Sequence, residues 1–251
     1  MLITQSVISR GIGTRHAAPE GGGGAALFTD DLSSGDRSHT ENGWSYGDSD
    51  NIAVVSEKLQ FTYPGVASGF DGFSEQRLIS TNQYNEIWIK YDLYVPANYD
   101  HRTDAPGNNK FIAVFATPYT NPGFQMNFSL YRTGAGDSQL AFHRLGNGSE
   151  IEPEIYAPGT FIGSADRDNT MTVIVNVRVP TNSSSSDGVA RLWKNGTKIF
   201  EKTDCEFFGN QGRNYISEFY LLGWANSGFD NQTIFTIDNI EVNDTNLWGV
   251  S

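Results

Sequence analysis

The chain alternates between apolar and polar positions. From Glu86 to Val95, the residues Ile87, Ile89, Tyr91, Leu93 and Val95 fall on one side, and Trp88, Lys90, Asp92 and Tyr94 fall on the other. That period of two belongs to a half-buried strand. Pro96 ends the run, because a residue without an N–H cannot continue a ladder. Residues 171–179 repeat the pattern and stop at Pro180. Residues 189–193 and 197–201 flank Lys194-Asn195-Gly196, and Asn-Gly between two short alternating runs predicts a hairpin. Residues 110–115 are almost continuously apolar, which predicts a central strand. Residues 125–132, 218–224 and 233–242 supply further strands. No stretch carries a helical stripe longer than a turn or two, and no repeat of about 20–50 residues is present. Many short strands punctuated by Gly, Pro and Asn predict an all-β sandwich or barrel.

Residues 1–26 read differently. They are polar, carry Arg10, Arg15 and His16, and end in the run Gly21 to Gly24, whose backbone freedom makes a hinge. The predicted division is an N-terminal arm over 1–26 and one domain over 27–251. Residues 183–186, four serines, read as a solvated loop.

Four segments carry a family resemblance. They are Phe28-Thr29-Asp30-Asp31-Leu32-Ser33-Ser34-Gly35-Asp36, residues 87–96, Asp187-Gly188-Val189-Ala190-Arg191-Leu192-Trp193-Lys194-Asn195-Gly196, and residues 235–242. In this order and spacing the chain resembles the concanavalin A-like (laminin G-like) jelly-roll superfamily. It is also similar to domains of this type on tailed phages and marine viruses, through Tyr99-Asp100-His101-Arg102 and Asn108-Asn109-Lys110-Phe111. The resemblance implies a two-sheet antiparallel β-sandwich. The superfamily hosts lectins, carbohydrate-binding modules, glucanases, polysaccharide lyases and virion proteins, so the fold does not choose among them.

Composition narrows the choice. The 251 residues carry 17 Lys+Arg against 29 Asp+Glu, a net charge of −12. A nucleic-acid binder shows a basic footprint, and this chain shows none. A single cysteine, Cys205, excludes an internal disulfide and a Cys-based zinc site. No apolar run approaches the ~18 residues of a membrane span. Residues 1–15 lack the basic start and apolar stretch of a secretory signal. The sequons at Asn127, Asn147, Asn182, Asn195, Asn231 and Asn243 are then incidental, and synthesis in a cytoplasm followed by carriage on a virion is expected.

The candidate chemistry follows from residue type. A glucanase needs two carboxylates facing one sugar bond. Glu150, Glu152 and Glu154 alternate, but Pro153 interrupts them. A polysaccharide lyase needs a cation for the uronate carboxylate and a group to move the C5 proton. Ser74-Glu75-Gln76-Arg77 resembles the Arg-x-Glu-x-Arg strand of jelly-roll alginate lyases without its first Arg, and their Gln-x-His strand is absent. If the chain is a lyase, Arg77, His101 and Tyr119 are the candidates, with Arg102 and Lys110 as further cations; surface ion pairs and a polar loop explain the same residues. Asp30, Asp31 and Asp238 match a structural Ca²⁺ shared by first and last strands in many jelly rolls, or are plain turn and strand-end residues. For sugar stacking, Trp193, Trp224 and Asn226 near turns stand out, although aromatics in a sandwich usually fill its core.

These readings predict a phage virion structural protein, of capsid-decoration or fibre type, more likely without enzymatic activity. Residues 1–26 would anchor it to capsid or tail proteins, and its lectin-like domain would display a glycan-binding surface involving Arg77, Arg102, Lys110 and the two tryptophans. Symmetric homo-oligomers would multiply weak sugar affinity. The alternative is a jelly-roll polysaccharide lyase acting on an acidic glycan.

Overall fold

A computed structural model describes residues 25–104, 107–117, 125–146, 149–150, 154–182, 185–206 and 213–251. Residues 1–24 of the predicted arm, and Tyr119, lie outside the described residues. In chain order the strands are β1 (Phe28–Asp30), β2 (Thr40–Glu41), β3 (Trp44–Asp50), β4 (Ile52–Val55), β5 (Lys58–Tyr63) and β6 (Gly72–Tyr84). There follow β7 (Glu86–Val95), β8 (Asn108–Phe115), β9 (Gln125–Thr133), β10 (Asp137–Gly146), β11 (Ser149–Glu150) and β12 (Ile155–Tyr156). The chain continues through β13 (Asn169–Arg178), β14 (Gly188–Lys194), β15 (Thr197–Cys205), β16 (Ile216–Ala225) and β17 (Thr233–Asn243).

The strands form two antiparallel sheets. The first runs β15-β14-β13-β7-β17-β5-β4, with β1 also paired to β17. The second runs β11-β10-β9-β8-β16-β6-β3-β2, with β12 also paired to β10. This is the predicted two-sheet sandwich. Its core is the space between the inner faces. From the first sheet, Ile87, Ile89, Tyr91, Leu93 and Val95 of β7 enter it, fully buried as their alternation requires. Leu78 of β6, Phe128 and Leu130 of β9, Phe142 of β10, and Phe219 and Leu221 of β16 meet them from the second.

The hairpin falls where Asn-Gly put it. Lys194 pairs with Thr197, and Asn195 and Gly196 take φ of +49° and +78°. Two positive φ values define the turn whose twist matches a hairpin, and Asn-Gly tolerates them best. The first and last strands also lie together, with Phe28 opposite Val242 and Asp30 opposite Ile240.

The two outer faces differ. On the first sheet, Trp88, Ile174 and Trp193 form a small apolar cluster, against which Trp248 and Val250 pack. Trp193 is 1% exposed and stacks on Trp88 at 5.5 Å between ring centroids. The expectation that Trp193 stands open to a sugar is therefore corrected: residues 248–250 cover it. The outer face of the second sheet carries polar residues, among them Arg77 and Lys110.

Candidate functional site

The site starts from register. Arg77 of β6 pairs with Tyr220 of β16, and Tyr220 pairs with Ala113 of β8. Ala113 pairs with Asn127 of β9, and Asn127 with His143 of β10. These five residues make one row across five strands. Four inter-strand steps of roughly 4.8 Å put about 19 Å between its ends. On one side lies the row Ile79, Glu218, Phe115 and Gln125. On the other, Lys110 pairs with Ser129, Ser129 with Ala141, and Ala141 with Tyr156.

Strand alternation selects these side chains. On β9, Met126, Phe128 and Leu130 join the core, which turns Gln125, Asn127 and Ser129 to the opposite face. All three are nevertheless buried. A buried polar face has to satisfy itself, and this one nearly does. Gln125 Nε2 donates to Asn127 Oδ1 at 3.1 Å, and Ser129 Oγ lies 3.2 Å from His143 Nε2. Asn127 Nδ2 is the exception: it is buried and has no partner among the described residues. Ala113, Phe115 and Tyr220 form an apolar floor between the polar groups.

A bulge shapes the middle of the face. Against β8, the pairing of β16 slips between Leu221 and Ala225, and Leu222 and Gly223 take φ of +58° and +133°. Only glycine adopts the second value readily. A Cβ on Gly223 would stand 3.2 Å from Lys110 Cβ, 3.2 Å from the Tyr220 ring and 3.4 Å from Glu75 Oε2. Lys110, Tyr220 and Glu75 thus converge around Gly223.

The electrostatics divide along the row. At the β6 end, Arg77 Nε donates to Glu75 Oε1 at 2.7 Å, and its Nη1 lies 3.4 Å from Glu218 Oε1. Burial pushes both carboxyls above their usual range, opposed by Arg77 for Glu75, and by the Thr117 hydroxyl and Arg77 for Glu218. At the β10 end, burial first and the Lys110 charge second pull His143 down to about 4. Its imidazole is therefore neutral at neutral pH.

Other predicted residues lie elsewhere. His101 is fully buried, its Nδ1 2.7 Å from Ser138 Oγ and its Nε2 3.0 Å from the Gly107 carbonyl. Tyr99 bonds the same Ser138 hydroxyl. This enclosed network holds a loop, and His101 does not reach the row. Arg102 is also buried, donating to the Val66 carbonyl at 3.0 Å and pairing with Asp104 and Asp230. It ties loops together and presents no free guanidinium to a ligand. Asn226 donates to Asn108 Oδ1 at 2.8 Å, at the edge of the second sheet beyond Trp224. Trp224 is 43% exposed, beside Phe73 at 4.6 Å. Of the sequence candidates, Arg77, Lys110 and Trp224 share the polar face.

The expected calcium ligands each engage protein groups. Asp30 Oδ1 accepts the Leu32 N–H at 2.7 Å, and its Oδ2 accepts the Tyr46 hydroxyl at 2.8 Å. Asp31 Oδ1 accepts the Ser33 N–H at 3.1 Å, and Asp238 lies 3.7 Å from Lys58 Nζ. Among the described residues, no group of three or more His, Cys, Asp or Glu gathers to hold a metal.

Asn127, Ser129, His143, Glu218 and Tyr220 were not singled out from the sequence. One signal was there: Gln125, Asn127 and Ser129 alternate with apolar residues inside a strand that the pattern already predicted.

No protein-family model matches the chain, and no curated protein matches it. Solved structures do. The alginate lyase Aly36B, as a double mutant in complex with alginate trisaccharide, matches with a TM-score of 0.60 at 16% identity, covering 80% of this chain and 88% of that one. Alginate lyase vAL-1 from Chlorella virus matches at 0.59 and 13% identity, over 88% of this chain and 100% of that one. Endo-β-1,4-glucuronan lyase from the fungus Trichoderma reesei matches at 0.52 and 13% identity, over 88% and 96%. A β-glucanase and a carbohydrate recognition domain are also similar in fold. The fold is thus a jelly roll related to those of polysaccharide lyases and glycosidases. Two expectations are corrected by these matches, most of which are to carbohydrate-active enzymes: that the protein is a binding component rather than an enzyme, and that it is a viral, capsid-decoration component.

Proposed function

We propose that the protein is a polysaccharide lyase that cleaves a uronate-containing glycan by β-elimination on the outer face of the second sheet. The observation that carries this is geometric: buried His143 pairs with Asn127, whose amide has no partner among the described residues, and Lys110 stands on the next row of the same face. The fold likeness to uronan lyases supports it.

Elimination breaks the C5–H and C4–O bonds of the uronate and forms a C4=C5 double bond. The proton goes to a base, and the electron pair goes to the leaving glycosidic oxygen, which takes up a proton in turn. The slow part is removing a proton beside a carboxylate, so that carboxylate's charge must be offset. Lys110 supplies the positive charge, and Asn127 Nδ2 supplies a buried donor with no partner among the described residues. His143, neutral at neutral pH, takes the C5 proton on a ring nitrogen. The Tyr220 hydroxyl, one strand from Ala113 on the same row, returns a proton to the leaving oxygen.

The test is incubation with alginate, polyglucuronate and pectate while the ultraviolet absorbance of the unsaturated uronate is followed. Absorbance should rise on at least one polymer, and His143→Ala should lower kcat about a hundredfold or more, the usual weight of a general base. Binding to a polymer without any unsaturated product would overturn the lyase reading in favour of a binding module.

A further inference from the structure

The row is not electrostatically uniform, and its β6 end does not suit a uronate. Beside Arg77, strand β6 carries Glu75 and then Phe73, and Phe73 pairs with Trp224. The two rings lie 4.6 Å apart, tilted by 34°, and Trp224 is 43% exposed. Next to them is a hollow of about 220 Å³, lined by Asp48, Ser49, Asp50, Phe73, Glu75 and Arg77. That is smaller than the ~300–1,000 Å³ of sites for drug-sized ligands, and suits a single ring.

The charges there are mostly negative. Asp48 and Asp50 are exposed, and both push Glu75 further up, so the three carboxyls feel one another. Among the described residues the one cation lining the hollow is Arg77, already paired with Glu75 and Glu218. Arg37 donates to Gln76 Oε1 at 2.7 Å and also bonds the Ser49 hydroxyl. Gln76 alternates with Glu75 and Arg77, so its contact lies on the opposite face, and the same Arg37 Nη1 is taken up by Ser49 at the rim of the hollow. A carboxylate entering the hollow meets like charge, whereas hydroxyls find acceptors in Asp48 and Asp50 and an apolar ring face finds Trp224.

We propose that the Phe73–Trp224 end of the face is a subsite for a pyranose without a carboxylate, so that the substrate is a mixed glycan joining uronate to neutral sugar. This rests on the lyase reading for its substrate, but the subsite itself stands on geometry and charge. Uronate sits over Lys110, Asn127 and His143, and the neutral ring sits over Trp224. Trp224 on β16 and Lys110 on β8 lie on neighbouring, paired strands, so the two subsites adjoin.

The test compares polyglucuronate with a heteroglycan in which glucuronate is linked to glucose. Wild type should prefer the mixed polymer in kcat/KM by about tenfold, the factor that 1.4 kcal/mol of subsite binding gives. Trp224→Ala should erase that preference, Trp224→Phe should keep part of it, and Asp48→Asn with Asp50→Asn should shift it toward polyglucuronate. An unchanged ratio in Trp224→Ala, or in the double Asp variant, would overturn the proposal. A second arm needs no turnover: tryptophan fluorescence titrated with cellotetraose and with tetraglucuronate. Saturation by cellotetraose alone, lost in Trp224→Ala, supports the subsite even if no polymer is cleaved, in which case only the lyase reading falls. Equal response to both sugars, or to neither, overturns the subsite.

Discussion

Single residues set how the protein answers pH. His101 and His143 are both buried, and burial lowers each from 6.5 to about 4. Between those values the unfolded chain holds protons that the folded protein refuses, so stability falls as pH drops from 6.5 toward 4. A drop from 6.5 to about 4 corresponds to roughly 3 kcal/mol for each histidine. Glu75 and Glu218 act in the other direction. Their raised folded pKa lets the folded state bind protons first, a contribution present in acid and lost as pH rises through the folded value. The net expectation is a melting temperature that declines below pH 6.5, with a slope reduced by about one proton in His143→Gln. Thermal melts across that window check it; an unaltered slope in the variant would show that His143 is not held neutral. The identity of these residues was partly legible. Arg77 and Lys110 announced themselves as cations on predicted strands. His143 did not, because one histidine among four looks scattered until pairing places it beside Asn127. His101 misled for the same reason: a loop position after Pro96 gives no sign that its ring faces Ser138.

At the scale of elements, alternation was enough to place β7, β13, the β14–β15 hairpin and β17, because each has one apolar and one polar side. Strand β6, at thirteen residues, was seen only in the piece around Glu75 and Arg77. Its outer face carries the site and its second half, Thr81-Asn82-Gln83, is exposed, so the apolar signal is thin. The bulge in β16 was invisible, since Leu221-Leu222-Gly223-Trp224 reads as a plain strand. What makes the bulge is Tyr63 on the other sheet. Its buried hydroxyl accepts the Gly223 N–H at 3.2 Å and lies 2.8 Å and 3.0 Å from the carbonyls of Gly223 and Ser74. Tyr63→Phe leaves those backbone groups short of a partner and should cost about 1–3 kcal/mol. Gly223→Ala should cost more, because its φ of +133° strains any side chain and the new methyl crowds Lys110 and Tyr220. Urea denaturation with an unchanged m-value measures both. A Gly223→Ala protein as stable as wild type would show that the bulge does not impose this backbone.

For the whole molecule, the difference between the two outer faces decides where function is found. A sandwich has two such faces, and alternation along a strand does not say which one is covered. Here the first sheet closes its own. Trp248 packs on the Trp88–Trp193 cluster, donates its indole N–H to Glu241 Oε2 at 3.0 Å, and lies under Lys90 Nζ at 5.6 Å from its ring. Lys90 in turn pairs with Glu241 at 2.6 Å, so the indole is held by apolar contact, a hydrogen bond and a cation above it. Removing it should expose Trp88 and Trp193 together, a patch of the kind that drives association. Trp248→Ala is therefore expected to lose about 2–3 kcal/mol, somewhat below a fully buried tryptophan because Trp248 is only half-buried. It should also self-associate with rising concentration, as sedimentation would show. The glycan binding proposed for the second sheet should survive, since no residue of that face touches Trp248 among the contacts described. If Trp248→Ala weakened glycan binding as much as Trp224→Ala, the two faces would not be independent, and the assignment of function to the second sheet alone would fail.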